Sequence, residues 1–308
     1  FPGSVALGAG YNILAGDPIA ASSDPGYTPG SVFNPNCASC FSGGRTFGPF
    51  KLPNDVDVVA EQTCSYSGVS FAFHDTTTYQ SASEKSVTDD GGFSTLLGLV
   101  GARFSASSFA QKLVNATVGG DVVVTSSTGT CAAYGVSIEP KTYDFTESLT
   151  EDFVNGLATL PSTFNPLNAT NVALFEKFIA EFGTHTVVST TLGGQASQVT
   201  TFDSASFSFL QTLVEDIEAT ASASLLIFFG GSISASAKVT EEEYLAFATS
   251  FSSNETNCRP FCPPSGNLSV DDPTGAWLPL LQFEHGGTAA PIAIQLMPLE
   301  ALLATLKH

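Results

Sequence analysis

The chain has 308 residues, with 10 Lys+Arg against 29 Asp+Glu and a formal charge of −19. Charged residues make up 13% and hydrophobic ones 43%, which is too apolar and too poor in charge for a disordered tail. Ten cations in so negative a field exclude a phosphate-tracking groove, so no nucleic acid is expected as a partner; docking on anionic lipid through a polybasic patch is excluded as well. The length allows one large domain or two small ones.

With so few charges, the polar surface must be largely Ser, Thr, Asn and Gln, which dominate residues 76–83, 105–108, 125–130 and 232–236. The sequence opens on Phe1 rather than Met, as expected of a mature, secreted chain whose signal peptide has been removed. Sequons at Asn115, Asn168, Asn254 and Asn267 point the same way. Cys37, Cys40, Cys64, Cys131, Cys258 and Cys262 fit disulfides in an oxidising compartment, with the pairing left open. Cys37-Ala-Ser-Cys40 with Cys258 and Cys262 also has the spacing of a zinc site or redox pair. No His lies near them in sequence, so disulfides are the preferred reading, and no metal or other cofactor is expected. No apolar run reaches the roughly 18 residues of a membrane-spanning helix.

Residues 1–53 are rich in Gly, Pro and Asn and predict irregular structure with short strands. Alternating Val69, Phe71 and Phe73 predict a strand over 69–79, and residues 121–138 predict another. Between them, residues 81–120 carry Gly91-Gly92 and an apolar middle. Leu174, Phe175, Phe178, Ile179 and Phe182 share one face of a helix over 168–182, capped by Asn171 or Thr170 and stopped by Gly183. Residues 184–192 are β-branched and predict a strand ending at Gly193-Gly194. Leu210, Leu213, Val214 and Ile217 predict a helix over 210–218.

From residue 219 to 239 the odd positions are almost all apolar and the even ones mostly Thr and Ser; Leu226 and Phe228 are the clear exceptions. A period of two is a β pattern, here two strands or one very long one. By itself it is the pattern of a long strand half buried in a core. The alternative is a membrane-spanning strand, which needs roughly 9–11 residues with one apolar and one polar face.

Phe182-Gly-Thr-His185, followed after Thr186 and six further residues by Gly193-Gly194, resembles the signature of the membrane attack complex/perforin (MACPF) family. The departure is Thr186, where the family prefers an aromatic. Leu7-Gly-Ala-Gly-Tyr11-Asn-Ile-Leu14, Cys131-Ala-Ala-Tyr134, Trp277, Pro291-Ile292 and Pro298-Leu299-Glu300-Ala-Leu-Leu303 are similar to the family's opening, second-strand and closing segments. The resemblance implies a single α+β domain over 1–308: a bent, twisted four-stranded antiparallel sheet flanked by two helical clusters. Those clusters, residues 81–120 and 198–240, would unfurl into amphipathic β-hairpins when a ring of subunits assembles on a membrane. A closed barrel is the β arrangement that satisfies every backbone group in lipid. The alternation at 219–239 falls inside the second cluster, which turns its reading to a membrane strand. The expected insertion residues are Leu96, Val100 and Phe104 in the first cluster and Leu225, Ile227, Phe229 and Ile233 in the second.

Equal arms around 81–120 bring Cys64 and Cys131 opposite each other as a candidate disulfide. Gly193-Gly194 reads as a bend or close backbone approach inside a strand, with a simple turn as the alternative. His185 reads as a hydrogen-bonding core residue. The implied function is a secreted pore-forming protein, a homo-oligomer that meets a membrane lipid or surface receptor. A non-lytic extracellular member with a structural, binding or defence role is the alternative. The sequence holds no Gly-x-Ser-x-Gly, His-Glu-x-x-His or Walker loop, and its acidic runs lack calcium-loop spacing, so no enzyme is expected. The match runs almost to the C-terminus, so no appended lipid-binding module is expected. Subunits of charge −19 repel at low ionic strength. Oligomer formation, followed by sedimentation, is therefore expected to rise with salt or with falling pH.

Overall fold

The computed structural model describes residues 6–16, 24, 26–35, 38–65, 70–73, 87–88, 122–138, 149–230, 239–263, 277–283 and 286–305. Two long strands form its spine. β8 (Val122–Ile138) and β9 (His185–Asp203) pair antiparallel from Val122↔Asp203 to Ser137↔Ser189. Both are rich in Val and Thr, whose branched side chains suit a pleated surface. At about 3.3 Å per residue, β9 spans about 60 Å.

An outer lane flanks each spine strand, and each outer lane comes in two pieces. β5 (Val56–Ser65) and β6 (Ser70–Phe73) pair with β8, while β10 (Ser253–Arg259) and β11 (Ala290–Pro298) pair with the other edge of β9. The chain is therefore α+β, with four antiparallel lanes. The strand count exceeds the expected four because the outer lanes are split and short strands extend the sheet to nine. β1 (Ala9–Tyr11) joins β9 to β2 (Tyr27–Ser31), and β7 (Val87–Thr88) lies parallel to β11. A separate hairpin pairs β3 (Thr46–Phe47) with β4 (Phe50–Lys51).

The strand expected over 69–79 is β6 where it is described, Ser70–Phe73, with 69 and 74–79 outside the described residues; the longer partner of β8 is β5 upstream, which lies outside the predicted strands. β5 shows no clean alternation because its register shifts between Ala60 and Thr63. One strand expectation needs correction. The strand expected to end at Gly193-Gly194 runs on to Asp203. Cys64 stands opposite Cys131 in the register and is bonded to it. Cys258 is bonded to Cys262, and Cys40 is also in a disulfide, so these thiols do not form a zinc site.

α1 (Glu151–Ala158) and α2 (Ala169–Phe182) precede β9. The cap of α2 is Asn168, whose side chain accepts from the backbone N–H groups of Thr170 and Asn171, rather than Thr170 or Asn171 themselves. Asn171 is buried instead and braces the preceding loop, accepting from Asn165 N and donating to Thr163 O. α3 (Ser204–Leu213) and α4 (Ile217–Phe228) follow β9. The single helix expected over 210–218 is broken because Val214 turns to extended backbone and Asp216 caps a new helix. α5 (Glu241–Ser250), α6 (Leu278–Leu281) and α7 (Leu299–Thr305) complete the set. Among the described residues no helix is long and apolar enough to cross a membrane.

Of residues 81–120 the structure describes Val87 and Thr88, which form a strand where a helix was expected. Leu96, Val100, Phe104 and Asn115 lie outside the described residues, as do Ile233 and Asn267. The main core joins Val56, Cys131, Tyr134, Phe153, Phe182, Leu192 and Trp277 from all parts of the chain.

Candidate functional site

The sequence signature builds one corner. Phe182 ends α2 and packs edge-on to Phe153, with ring centroids 5.3 Å apart. Gly183 then turns the chain with φ 75°, and a Cβ there would lie 2.4 Å from the Tyr11 backbone. Only glycine meets both conditions. Thr184 knits three segments together. Its N–H donates to Tyr11 O (2.9 Å), its Oγ1 accepts from Ile13 N (3.2 Å), and its carbonyl accepts from Leu299 N (3.0 Å). The same hydroxyl lies 2.9 Å from His185 Nδ1. His185 is buried, and desolvation pushes its pKa down from 6.5 to about 4. It is a neutral hydrogen-bonding residue of the corner at neutral pH. Thr186, at the position that departs from the pattern, is fully buried and pairs with Gly10 in β1 and Met297 in β11.

Gly193 and Gly194 lie inside β9, not in a turn. A Cβ on Gly193 would stand 2.0 Å from Cys131 O, and one on Gly194 would stand 2.4 Å from the Trp277 ring. Irregularities of the three lanes other than β9 gather at this level. β8 shifts register between Ala132 and Tyr134, and β5 shifts between Ala60 and Thr63. In the fourth lane β10 ends opposite Gln195 and β11 begins opposite Gly193. Bulges bend strands and increase their twist, so a line of weakness crosses the sheet here.

Beyond that line α3, α4 and α5 cover one face of the lower sheet. α3 and α5 bury Phe207, Leu210 and Phe247 against Val123 and Phe202. α4 has an unusual seat. Its C-terminal end drives Leu225, Leu226 and Phe229 into the main core. Thr220 and Ser224 on α4 are buried, as are Thr125, Ser127, Gln198 and Thr200 on the sheet. Glu243 ties the arms together. Its carboxylate accepts from Glu215 N (3.1 Å) in the α3–α4 link and from Thr240 N (2.8 Å) and Thr240 Oγ1 (2.8 Å) at the start of α5. These hydrogen bonds, the Thr240 backbone first, hold the Glu243 carboxyl below its usual range. The acidic run 241–243 is thus a helix cap as well as a solvated face.

The expected insertion residues that the structure describes are divided. Leu225 and Phe229 are buried, while Ile227 is half-exposed beside them. The period-two stretch is helical through Phe228, and residues 231–238 lie outside the described set. Of the sequons, Asn168 and Asn254 are exposed, on a helix cap and on β10. Sequence reasoning missed Glu243 and the buried polar residues beneath α4. The one available signal was Thr240-x-x-Glu243, the pattern of a capping box.

The MAC/Perforin domain family matches residues 2–261. The chain belongs to the MAC/Perforin family. No curated protein matches it. Among solved structures it is similar to GNIP1Aa from Chromobacterium piscinae, with TM-score 0.58 and 13% identity over 99% of this chain and 55% of that one. It is also similar to a putative cell invasion protein with a MAC/Perforin domain from Bacteroides thetaiotaomicron, with TM-score 0.56 and 14% identity over 96% of this chain and 56% of that one. The chain thus spans just over half the length of these two proteins, and at such identity the likeness is one of fold.

Two predictions follow from the corner and the line of weakness in this MAC/Perforin domain. Gly193→Ala meets immovable backbone, so it is expected to cost about 1–3 kcal/mol or more; Gly194→Ala meets a side chain that can shift and should cost less. Urea unfolding of both variants measures the difference. His185 has a folded pKa below its unfolded one, so its contribution is complete above pH 6.5 and is lost as pH falls towards 4. The melting temperature of the wild type should drop across that window, and His185→Gln should flatten the drop.

Proposed function

We propose that this chain is a secreted pore-forming protein that oligomerises on a membrane and inserts amphipathic β-hairpins to form a β-barrel. One observation carries the reading. Residues 217–228 are folded as a helix, yet their apolar and polar residues alternate with the period of a strand. A helix gains nothing from such a pattern, because a period of two scatters apolar residues around its axis. In a barrel wall the same residues sort into a lipid face and a water face.

The seat of α4 supports the reading energetically. Burying a large apolar side chain is worth roughly 1.5–3 kcal/mol, so Leu225, Leu226 and Phe229 hold the helix down in the soluble form. Transfer of Leu225 and Phe229 into lipid would return what leaving the core costs them. No enzymatic role is proposed. The partners are other copies of the chain and a membrane lipid or surface receptor.

The test is electron microscopy of the protein with liposomes, scoring rings and dye release together. Rings with leakage are expected from the wild type. The double change Ile227→Asp and Ile233→Asp should leave the monomer folded by circular dichroism and abolish leakage, because carboxylates would face lipid. Rings without leakage from the wild type would favour a non-lytic extracellular role. Wild-type leakage rates from the double variant would remove this segment from the membrane.

A further inference from the structure

The loop between α1 and α2 is braced from within and apolar at its tip. Leu167 N donates to Asn165 Oδ1 (3.0 Å) and Asn168 N to Asn165 O (3.1 Å). Asn165 N donates to the buried Asn171 Oδ1 (3.0 Å), and Asn171 Nδ2 donates to Thr163 O (3.0 Å). On this frame Leu167 is 95% exposed and Phe164 is 52% exposed, its ring edge-on to Phe175 with centroids 5.2 Å apart. A side chain on a loose loop can fold back to escape water. Leu167 cannot do so without breaking the bonds that hold its backbone. Two large apolar side chains three residues apart on a fixed loop gain from a cover.

The next residue can supply one. Asn168-Ala169-Thr170 is a sequon, and both Asn168 and Thr170 are exposed. The cap of α2 uses Asn168 Oδ1, which accepts from Thr170 N (3.0 Å) and Asn171 N (3.2 Å). Among the described residues nothing pairs with Asn168 Nδ2 or with the Thr170 hydroxyl. The amide is thus divided: its oxygen holds the helix and its nitrogen faces solvent. A sugar on Nδ2 leaves Oδ1 an acceptor, so modification and capping are compatible. α2 packs on β1 and β2, near the start of β9. At about 21 Å long, α2 does not carry its capped start to the Asp203 end of β9, where the segment proposed to enter the membrane begins. That position favours a glycan over lipid as the cover.

We infer that Asn168 carries an N-linked glycan, attached at Nδ2 and lying over Leu167 and Phe164, so that the cap of α2 is also a modification site. This rests on the secreted part of the reading above and not on pore formation. The donor is an oligosaccharide on a lipid pyrophosphate. The bond from Nδ2 to the anomeric carbon forms as the bond from that carbon to the pyrophosphate oxygen breaks; the lipid pyrophosphate leaves and the amide gives up one proton. Sugar rings have apolar C–H faces as well as hydroxyls, so the first sugar covers Leu167 while its hydroxyls stay in water. Asn254, the other described sequon, has Ser253, Glu255 and Thr200 as its strand neighbours, and a glycan there covers polar groups.

The experiment uses the full chain exported from eukaryotic cells behind a signal peptide. Glycan release by peptide N-glycosidase in heavy-oxygen water should leave a labelled Asp at position 168 in the peptide map. Thr170→Ala and Asn168→Asp should each lose one glycan by mass. Asp caps a helix as well as Asn does, so Asn168→Asp should keep the wild-type melting temperature. It should also bind severalfold more of an apolar fluorescent dye, and adding Leu167→Ser should return dye binding to the wild-type level. An unlabelled Asn168 in the exported chain would overturn the assignment while leaving secretion and pore formation intact. Equal dye binding by the wild type and Asn168→Asp would overturn the cover. Binding of the glycosylated wild type to phosphatidylcholine liposomes that Leu167→Ser abolishes would give the tip to lipid and overturn the cover as well. Retention of the chain inside the cell would overturn secretion, and the assignment with it.

Discussion

β8 and β9 approach each other so closely at Gly193 that a single methyl group there would overlap the Cys131 carbonyl. On the face of the next residue, Gly194, the Trp277 ring occupies the space where a side chain would stand. This contact lets two strands of 17 and 19 residues stay paired through a bulge rather than parting at it. Above it, β1, the start of α7 and the chain leaving α2 meet at Thr184. Below it, the sheet carries helices on one face. The upper half is tied into the main core, and the lower half is a platform.

The platform and its cover are fastened in two ways. Leu225, Leu226 and Phe229 anchor α4 through apolar burial, while Glu243 holds the α3–α4 link to the start of α5 through hydrogen bonds. Between these fastenings α4 buries Thr220 and Ser224, and the sheet buries Thr125 and Ser127 on β8. An interface of that composition gives up little when it is wetted, because its groups regain water. Release of the cover therefore depends on the two ends rather than on the whole contact area.

Much of this was legible in the sequence where local and global requirements agree. The face of α2 repeats at helical spacing, and its stop at Gly183 coincides with a backbone that only glycine adopts. Cys64 and Cys131 could be matched because β5 and β8 are equal arms about one segment. What stayed hidden depends on neighbours remote in sequence. β5 loses its alternation where its register shifts, and Gly193-Gly194 looks like a strand end unless Cys131 and Trp277 are placed beside it. α4 is the sharpest case. Its side chains obey a strand period, and packing against β8, β6 and α5 overrides that pattern. The signature residues were found at once, yet their sequence alone does not show that Thr184 joins the two ends of the chain.

The outer lanes have a further consequence, which concerns the free monomer. A long, flat edge strand is a template on which a second chain can pair indiscriminately. Here neither edge is offered whole. β5 and β6 meet one side in two different registers, and β10 and β11 divide the other at the level of Gly194. β7 occupies part of the outer side of β11, and Glu61 stands near the irregular stretch of β5. Borders of this kind guard the chain against clumping in solution while the two spine strands stay continuous within.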